Sequence, residues 1–496
     1  MSNSSLKILK NILFVMLFFI ISCSGKKITK VSDETNLIVK KIEQINVLMG
    51  SAVGYGGNKP EQYENFEALK KTASKEELLL LTNHSNAVVR CYSFWALGNY
   101  KNFDLFSLVK NHINDNAIVK TQFGCLISRE KVGDFFINLI NPKNKNSEIR
   151  QLTEEEFSEL ESILINQKND LYASDNAIEN AVPTKALYPK VRSLYIKDHN
   201  QSALVTLSKY KNPNDIELIL NNRDKDQDDD GESGYFFTYR AMQNFPDARF
   251  LAFLEKRVYE SLDNDHFSNE WLEMYAAIAA YKNQKAVELL KIPFTKSQNQ
   301  DIKEYRIKFV YEAIVANQSQ LYDDLLWKIW QDEHIITLDG FKYLLQVNSA
   351  KTLEFAKKEL KPSYQIKNTE KVAQTNQKMI TENFEETLLN FILLNDKPFA
   401  YDILKEKIAN AYVSDFEIYC TKILELQDSS FAPILFKRLT TEDNAHVYIP
   451  IVETLISFKD KAINKKILEA RKQNKNMNQD WGSDSLDEIL KKNNIK

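Results

Sequence analysis

Hydrophobic residues along this chain recur at spacings of three and four, the period of one buried helix face. From Val89, the positions Tyr92, Ala96, Leu97 and Tyr100 share a face; from Val119 the equivalents are Phe123, Leu126 and Ile127, and from Val447 they are Ile451, Leu455 and Phe458. Each run opens on a related pentapeptide. Asn86-Ala87-Val88-Val89-Arg90 recurs 30 residues later as Asn116-Ala117-Ile118-Val119-Lys120, and again as Asn444-Ala445-His446-Val447-Tyr448. The pattern predicts a helix at each. A second signature, Tyr100-Lys101-Asn102, is echoed by Tyr210-Lys211-Asn212, Tyr281-Lys282-Asn283 and Phe458-Lys459-Asp460. Apolar runs follow at Leu105 to Ile113, Ile216 to Leu220, Ala286 to Leu290 and Ala462 to Leu468, so the predicted unit is helix, short polar turn, helix, with Asn or Asp capping the second. Ser74 with Glu77, Thr153 with Glu156 and Ser485 with Glu488 have capping-box spacing.

Composition narrows the fold class. Among 496 residues there are 12 Gly and 11 Pro, too few turn-makers for a β-sandwich or barrel of this length, while 43% apolar content suffices for a packed interior. The expectation is an all-α protein, an α-solenoid of helix pairs in one array over residues 36–470, followed by a polar tail with a short helix at 471–496. Polar breaks at 141–149, 167–184, 221–234, 362–380 and 472–484 read as loops. Four of the glycines fall in one stretch, at Gly50, Gly54, Gly56 and Gly57. No nucleotide-loop signature accompanies them, and the stretch reads as a hinge after an N-terminal helix, with a shaped loop at a close backbone approach as the alternative.

The pentapeptide at Asn86 to Arg90, with its Val-Arg start, resembles the HEAT-repeat family, most of all its shorter form related to phycobilin lyases. The resemblance covers residues 75–140, 186–225, 270–300 and 430–470. It implies a superhelical stack of helix pairs and implies no activity.

The first residues carry a different signal. Lys7 and Lys10 precede an unbroken apolar run from Ile12 to Ile21. That run is shorter than the roughly 20 residues a membrane-spanning helix needs, and it suits the central region of a secretory signal. Ile20-Ile21-Ser22-Cys23 is similar to the lipobox of bacterial lipoproteins, with Ile20 in the aliphatic place, Ser22 in the small one and Cys23 as the acylated residue. The resemblance implies cleavage of residues 1–22, a diacylglyceryl thioether on Cys23, and a tether over 23–35. Ser24 after the cysteine favours the outer membrane of the cell envelope.

Candidate chemistry beyond Cys23 is sparse. The net charge of -3 gives no basic footprint for nucleic acid. Cys91, Cys125 and Cys420 lack metal-ligand spacing and read as small buried side chains in helices, a Cys91 to Cys125 bridge being the alternative. The six histidines are scattered, and His112 shares an apolar face with Leu105, Leu108 and Val109, as a satisfied buried imidazole would. Asp226, Asp228, Asp230 and Gly231 match the start of a calcium loop, with Glu232 adjacent. Position 12 is Phe237 where a bidentate Glu is needed, so a solvated acidic loop is preferred and calcium is the only cofactor considered. Trp327 and Trp330 lie on an apolar stripe and read as core. No catalytic set emerges. The sequence thus points to a lipid-anchored, non-enzymatic scaffold that engages a protein partner, with a glycan- or small-ligand-binding surface lipoprotein as the alternative and an enzyme with an unrecognised site after that.

Overall fold

The computed structural model describes residues 30–144, 149–223, 234–262, 268–297, 299–360 and 384–495. Cys23 and the acidic residues Asp226, Asp228, Asp230 and Glu232 lie outside the described residues. Within them the chain is mostly helical, with 26 α-helices and one three-stranded sheet. Two compact units divide at Phe245 and Pro246, the first containing 30–223 and 234–245, the second 246–495. The first buries Val89, Phe94, Leu97, Phe136 and Leu204; the second buries Tyr275, Leu290, Ile314, Trp330, Leu388 and Leu455.

The recurring turn signature has a definite backbone form. Lys211, Lys282 and Lys459 adopt left-handed conformations at φ of 51°, 47° and 54°. The next residue is extended, and its side chain accepts a hydrogen bond from the following helical turn: Asn212 from the Asn214 N–H, Asn283 from Ala286, Asp460 from Ala462. One residue stops the first helix and its neighbour starts the second. The same pair recurs at His199-Asn200 and Gln427-Asp428, where the sequence signature is invisible. At Tyr100-Lys101-Asn102 the device is absent; the helix Leu105–Lys110 is capped by Asp104, which accepts from the Ser107 N–H at 2.9 Å. The aromatic residue ahead of the turn has its own task. The Tyr281 hydroxyl donates to the Asp247 carbonyl at 2.6 Å, and that of Tyr210 donates to the Thr184 carbonyl at 2.9 Å.

Several expected helix starts are present. Asn86 caps Ala87–Leu97 through the Val88 and Val89 N–H groups, Asn444 caps Ala445–Ser457, and the capping boxes Ser74/Glu77 and Thr153/Glu156 are complete. Arg90 forks onto Asp115 with two bonds of 2.8 Å and also donates to the His84 carbonyl, locking the start of its helix to the loop at Asp115. Ser485 is a correction: it lies inside the helix Asp480–Lys492 and caps nothing. The polar stretch 167–184 contains the helix Tyr172–Asn180, whose first N–H groups are capped from afar, Tyr172 and Ala173 donating to the Asp134 carboxylate at 3.1 and 2.8 Å.

The larger correction falls on residues 116–131, where a helix was expected. The chain instead forms a hairpin of β2, Ile118–Gly124, and β3, Leu126–Lys131, with β2 also pairing parallel to β1, Leu48–Val53. The sheet order is β1-β2-β3. The residues themselves suit strands, and the pairing with β1 selects that form. Ile118, Val119, Thr121 and Phe123 are β-branched or aromatic, Val119 and Thr121 are buried between exposed neighbours in a period of two, and Gly124 sits at φ 59° in the first turn position, as a type II′ turn requires. Cys125, expected to be buried in a helix, is exposed at this turn, whereas Cys91 and Cys420 are buried and all three are free thiols. The glycine stretch is part of the same sheet. A side chain at Gly50 would meet the Phe123 ring at 2.8 Å, and Gly54 and Gly57, at φ 69° and 62°, shape the turn after β1. The close backbone approach, and not the hinge, describes it.

Candidate interaction surface

The two edges of the three-stranded sheet are treated differently. At β1 the Tyr92 hydroxyl both donates to the Met49 carbonyl and accepts from the Met49 N–H, each at 2.9 Å, so one side chain takes both of the Met49 backbone groups that a further strand would need. Gln62 donates to the Val47 and Ile42 carbonyls beside it at 3.0 and 3.2 Å. Burial pushes the Tyr92 hydroxyl pKa up, which keeps this donor protonated. The inner face of the sheet rests on aromatic rings from the helices Glu61–Thr72 and Ala87–Leu97: Phe66 stacks on Tyr92 at 4.8 Å, and Trp95 lies 6.2 Å from Phe123.

The β3 edge is open. Phe123 with Leu126, Thr121 with Ser128 and Val119 with Glu130 form the hydrogen-bonded pairs of the hairpin, in phase with the Val132 N–H donating to the Ala117 carbonyl at 3.0 Å. The N–H and C=O groups of Ile127 and Arg129 therefore point away from β2. No third strand pairs with β3 among the described residues. The side chains here are also exposed: Ile118 by 56%, Leu126 by 77% and Ile127 by 62%.

Charge adds a second feature. Lys120 and Arg129 are direct cross-strand partners, so two cations share one outward face, and neither has an ion-pair or hydrogen-bond partner among the described residues. Such like-charge opposition is unfavourable within a sheet. The neighbouring Lys131 differs: its ammonium donates to the Asp170 carbonyl and lies 4.5 Å over the Tyr172 ring. On the inner face, burial raises the Glu130 carboxyl pKa, and a hydrogen bond from Asn138 offsets part of the rise.

The second unit holds at least three open pockets among the described residues. One of about 650 Å³ lies between the helices Gln300–Asn317 and Leu338–Val347, lined by Tyr311, Glu312, Asp339, Lys342, Tyr343 and Gln346 among others. Burial raises the Glu312 carboxyl pKa despite Lys308. The Tyr311 hydroxyl accepts from the Thr337 N–H at 2.8 Å, a reach made possible by Gly340, where a Cβ would stand 2.0 Å from that hydroxyl. Another pocket, of about 360 Å³, is lined by Asp443, Asn444, His446, Asn476, Gln479 and Trp481 among others. Trp481 is 52% exposed and its ring lies 5.0 Å from that of His446.

Of the residues singled out in the sequence, Trp327 and Trp330 are stacked at 6.0 Å and buried, and His112 is buried against Phe136 with Asp115 at 3.7 Å from its Nδ1. The open edge was missed, although the Gly124 turn flanked by alternating residues signals a hairpin. Among the described residues no group of three His, Cys, Asp or Glu is placed to hold a metal ion, and no helix is long and apolar enough to cross a membrane. No protein-family model matches the chain, and neither the curated proteins nor the solved structures contain a match.

Proposed function

We propose that this chain is a lipid-anchored, non-enzymatic binding protein of the cell envelope. Cys23 carries the lipid, the outer membrane is the favoured location, and each helical unit is a short HEAT-like array offering surface to a protein partner. The exposed apolar and cationic face around β3 is the observation that carries this reading. On the outward face Ile118 and Ile127 stand either side of the Lys120 and Arg129 pair, and with Leu126 on the other face one hairpin leaves three large apolar side chains in water. The helical pairs give the scaffold on which that face is held, and the N-terminal signal gives the tether.

The test is recovery of a stoichiometric protein from gently solubilised membranes by the native chain. The triple variant Ile118→Ser, Leu126→Ser, Ile127→Ser is expected to lose that protein while keeping the native helical circular dichroism. Equal recovery by the variant would remove the β3 face from the proposal.

A second reading is glycan binding in the second unit, favoured by Trp481, an exposed indole at the rim of a polar pocket containing Asn476 and Gln479. Sugar rings stack on such indoles while side-chain amides bond their hydroxyls. A glycan array probed with native protein and with Trp481→Ala decides it, a blank array excluding this reading.

A further inference from the structure

We infer that β3 is a docking edge for an extended acidic segment of a protein partner, which joins the sheet as its fourth strand. The inference rests on the partner-binding reading above and adds the mode of binding and the chemistry of the partner. Three observations converge. The β1 edge is closed by Tyr92 and Gln62, while Ile127 and Arg129 direct two N–H and two C=O groups outward from β3. An open edge of this kind is a template for strand addition. Next to those backbone groups, Ile127 and Leu126 are exposed on opposite faces of β3, so an added strand would meet apolar surface on both.

The third observation selects the partner's charge. A residue paired opposite Arg129 would share the outward face with Arg129 and Lys120, which face each other without an anion among the described residues. A carboxylate at that position relieves the repulsion and gains two cations. The sequence recognised therefore carries an acidic residue opposite Arg129 and an apolar one opposite Ile127, two positions apart on the outward face. An anionic bilayer would satisfy the charges but leave the outward N–H and C=O groups without partners at the apolar boundary, which is why a strand is preferred.

The experiment selects random linear peptides of about nine residues, displayed on phage, against the purified acylated chain in dodecyl maltoside, a length that matches one strand with flanks. Enrichment of peptides with an acidic and an apolar residue two positions apart is expected. Affinity of an enriched peptide is then measured by fluorescence anisotropy on three variants. Ile127→Pro removes an outward N–H without touching the hairpin ladder and should weaken binding at least about tenfold, whereas Ile127→Ser keeps the N–H and should weaken it by about threefold or less. Arg129→Glu should also weaken it at least about tenfold by placing like charges together. If Ile127→Pro disturbs the hairpin, a peptide N-methylated at alternate residues, tested on native protein, replaces it and should fail to bind.

No enrichment, or enriched peptides that bind Ile127→Pro and survive N-methylation, overturns the inference. So does binding to phosphatidylglycerol vesicles that Arg129→Glu abolishes and Ile127→Pro spares, which would assign the face to lipid. A photo-reactive residue at position 127 in intact cells separates the two levels: a protein captured there with no peptide binding removes strand addition and keeps partner binding. Capture of nothing, with no peptide binding, removes both.

Discussion

At the scale of single residues, several side chains do the work of two. Glu77 accepts from the Ser74 N–H at 2.8 Å to complete its own capping box and from the Ser32 N–H at 2.7 Å, joining the start of one helix to the entrance of another. Burial alone would raise its carboxyl pKa, but the hydrogen bonds from Ser32 and Ser74 outweigh it and bring the value from 4.5 down to about 2. A depressed carboxylate stabilises the fold above its unfolded pKa, and that contribution disappears as pH falls through the folded value. Glu77→Gln is therefore expected to lower the melting temperature at pH 7, with the gap to native protein closing between pH 4.5 and about 2. Melting curves across that range check it; a gap that is constant with pH would contradict the assignment. Gly340 offers a packing test of a different kind. Its substitution by Ala places a methyl where the Tyr311 hydroxyl stands, so Gly340→Ala should cost about 1–3 kcal/mol, and Tyr311→Phe in the same chain should recover part of it. Chemical denaturation of the single and double variants measures both values.

At the scale of elements, the helix pairs are defined by their turns more than by their hydrophobic stripes. A lysine in the left-handed region costs about 1–2 kcal/mol relative to a right-handed residue, while glycine removes that strain and gives back roughly 0.5–1 kcal/mol in unfolded-state freedom. Lys282→Gly and Lys459→Gly should therefore each be neutral to stabilising, by up to about 1 kcal/mol. Asn283→Ala, which removes the neighbouring cap, should cost about 1 kcal/mol. Urea titrations give the differences. This pairing of left-handed residue and Asx cap was half legible: the repeated Lys-Asn and Lys-Asp steps marked three of its five places, and His199-Asn200 and Gln427-Asp428 fill the same geometry with other residues. The hairpin was misread because its apolar positions, Val119, Phe123, Leu126 and Ile127, also satisfy helical spacing. Periodicity over so short a run is ambiguous, and the decision came from contacts distant in sequence: the parallel pairing of β2 with β1 about 70 residues earlier, and the close fit of Phe123 over Gly50.

At the scale of the whole molecule, the proposal joins an N-terminal lipid to two helical units, the first bearing an open sheet edge. One acyl chain gives marginal membrane affinity, and stable anchoring needs two or more. Cys23→Ser is thus expected to abolish lipid labelling and to leave the chain either as uncleaved precursor or released from the membrane fraction. Metabolic labelling with a fatty-acid analogue and fractionation follow this, and an intact label with unchanged partitioning would refute the anchor. The sequence by itself determined the helical character and many of the capped helix starts, because caps and amphipathic faces are written within a few neighbouring residues. It also contained the whole argument for Cys23. Tertiary structure alone decided that residues 48–53 pair with the hairpin 118–131, that Tyr92 takes the outward groups of Met49 at one edge, and that Lys120 of the central strand faces Arg129 of the other edge strand. Strand pairing, unlike helix formation, takes its partner from elsewhere in the chain, so no local pattern could fix which edge stays open.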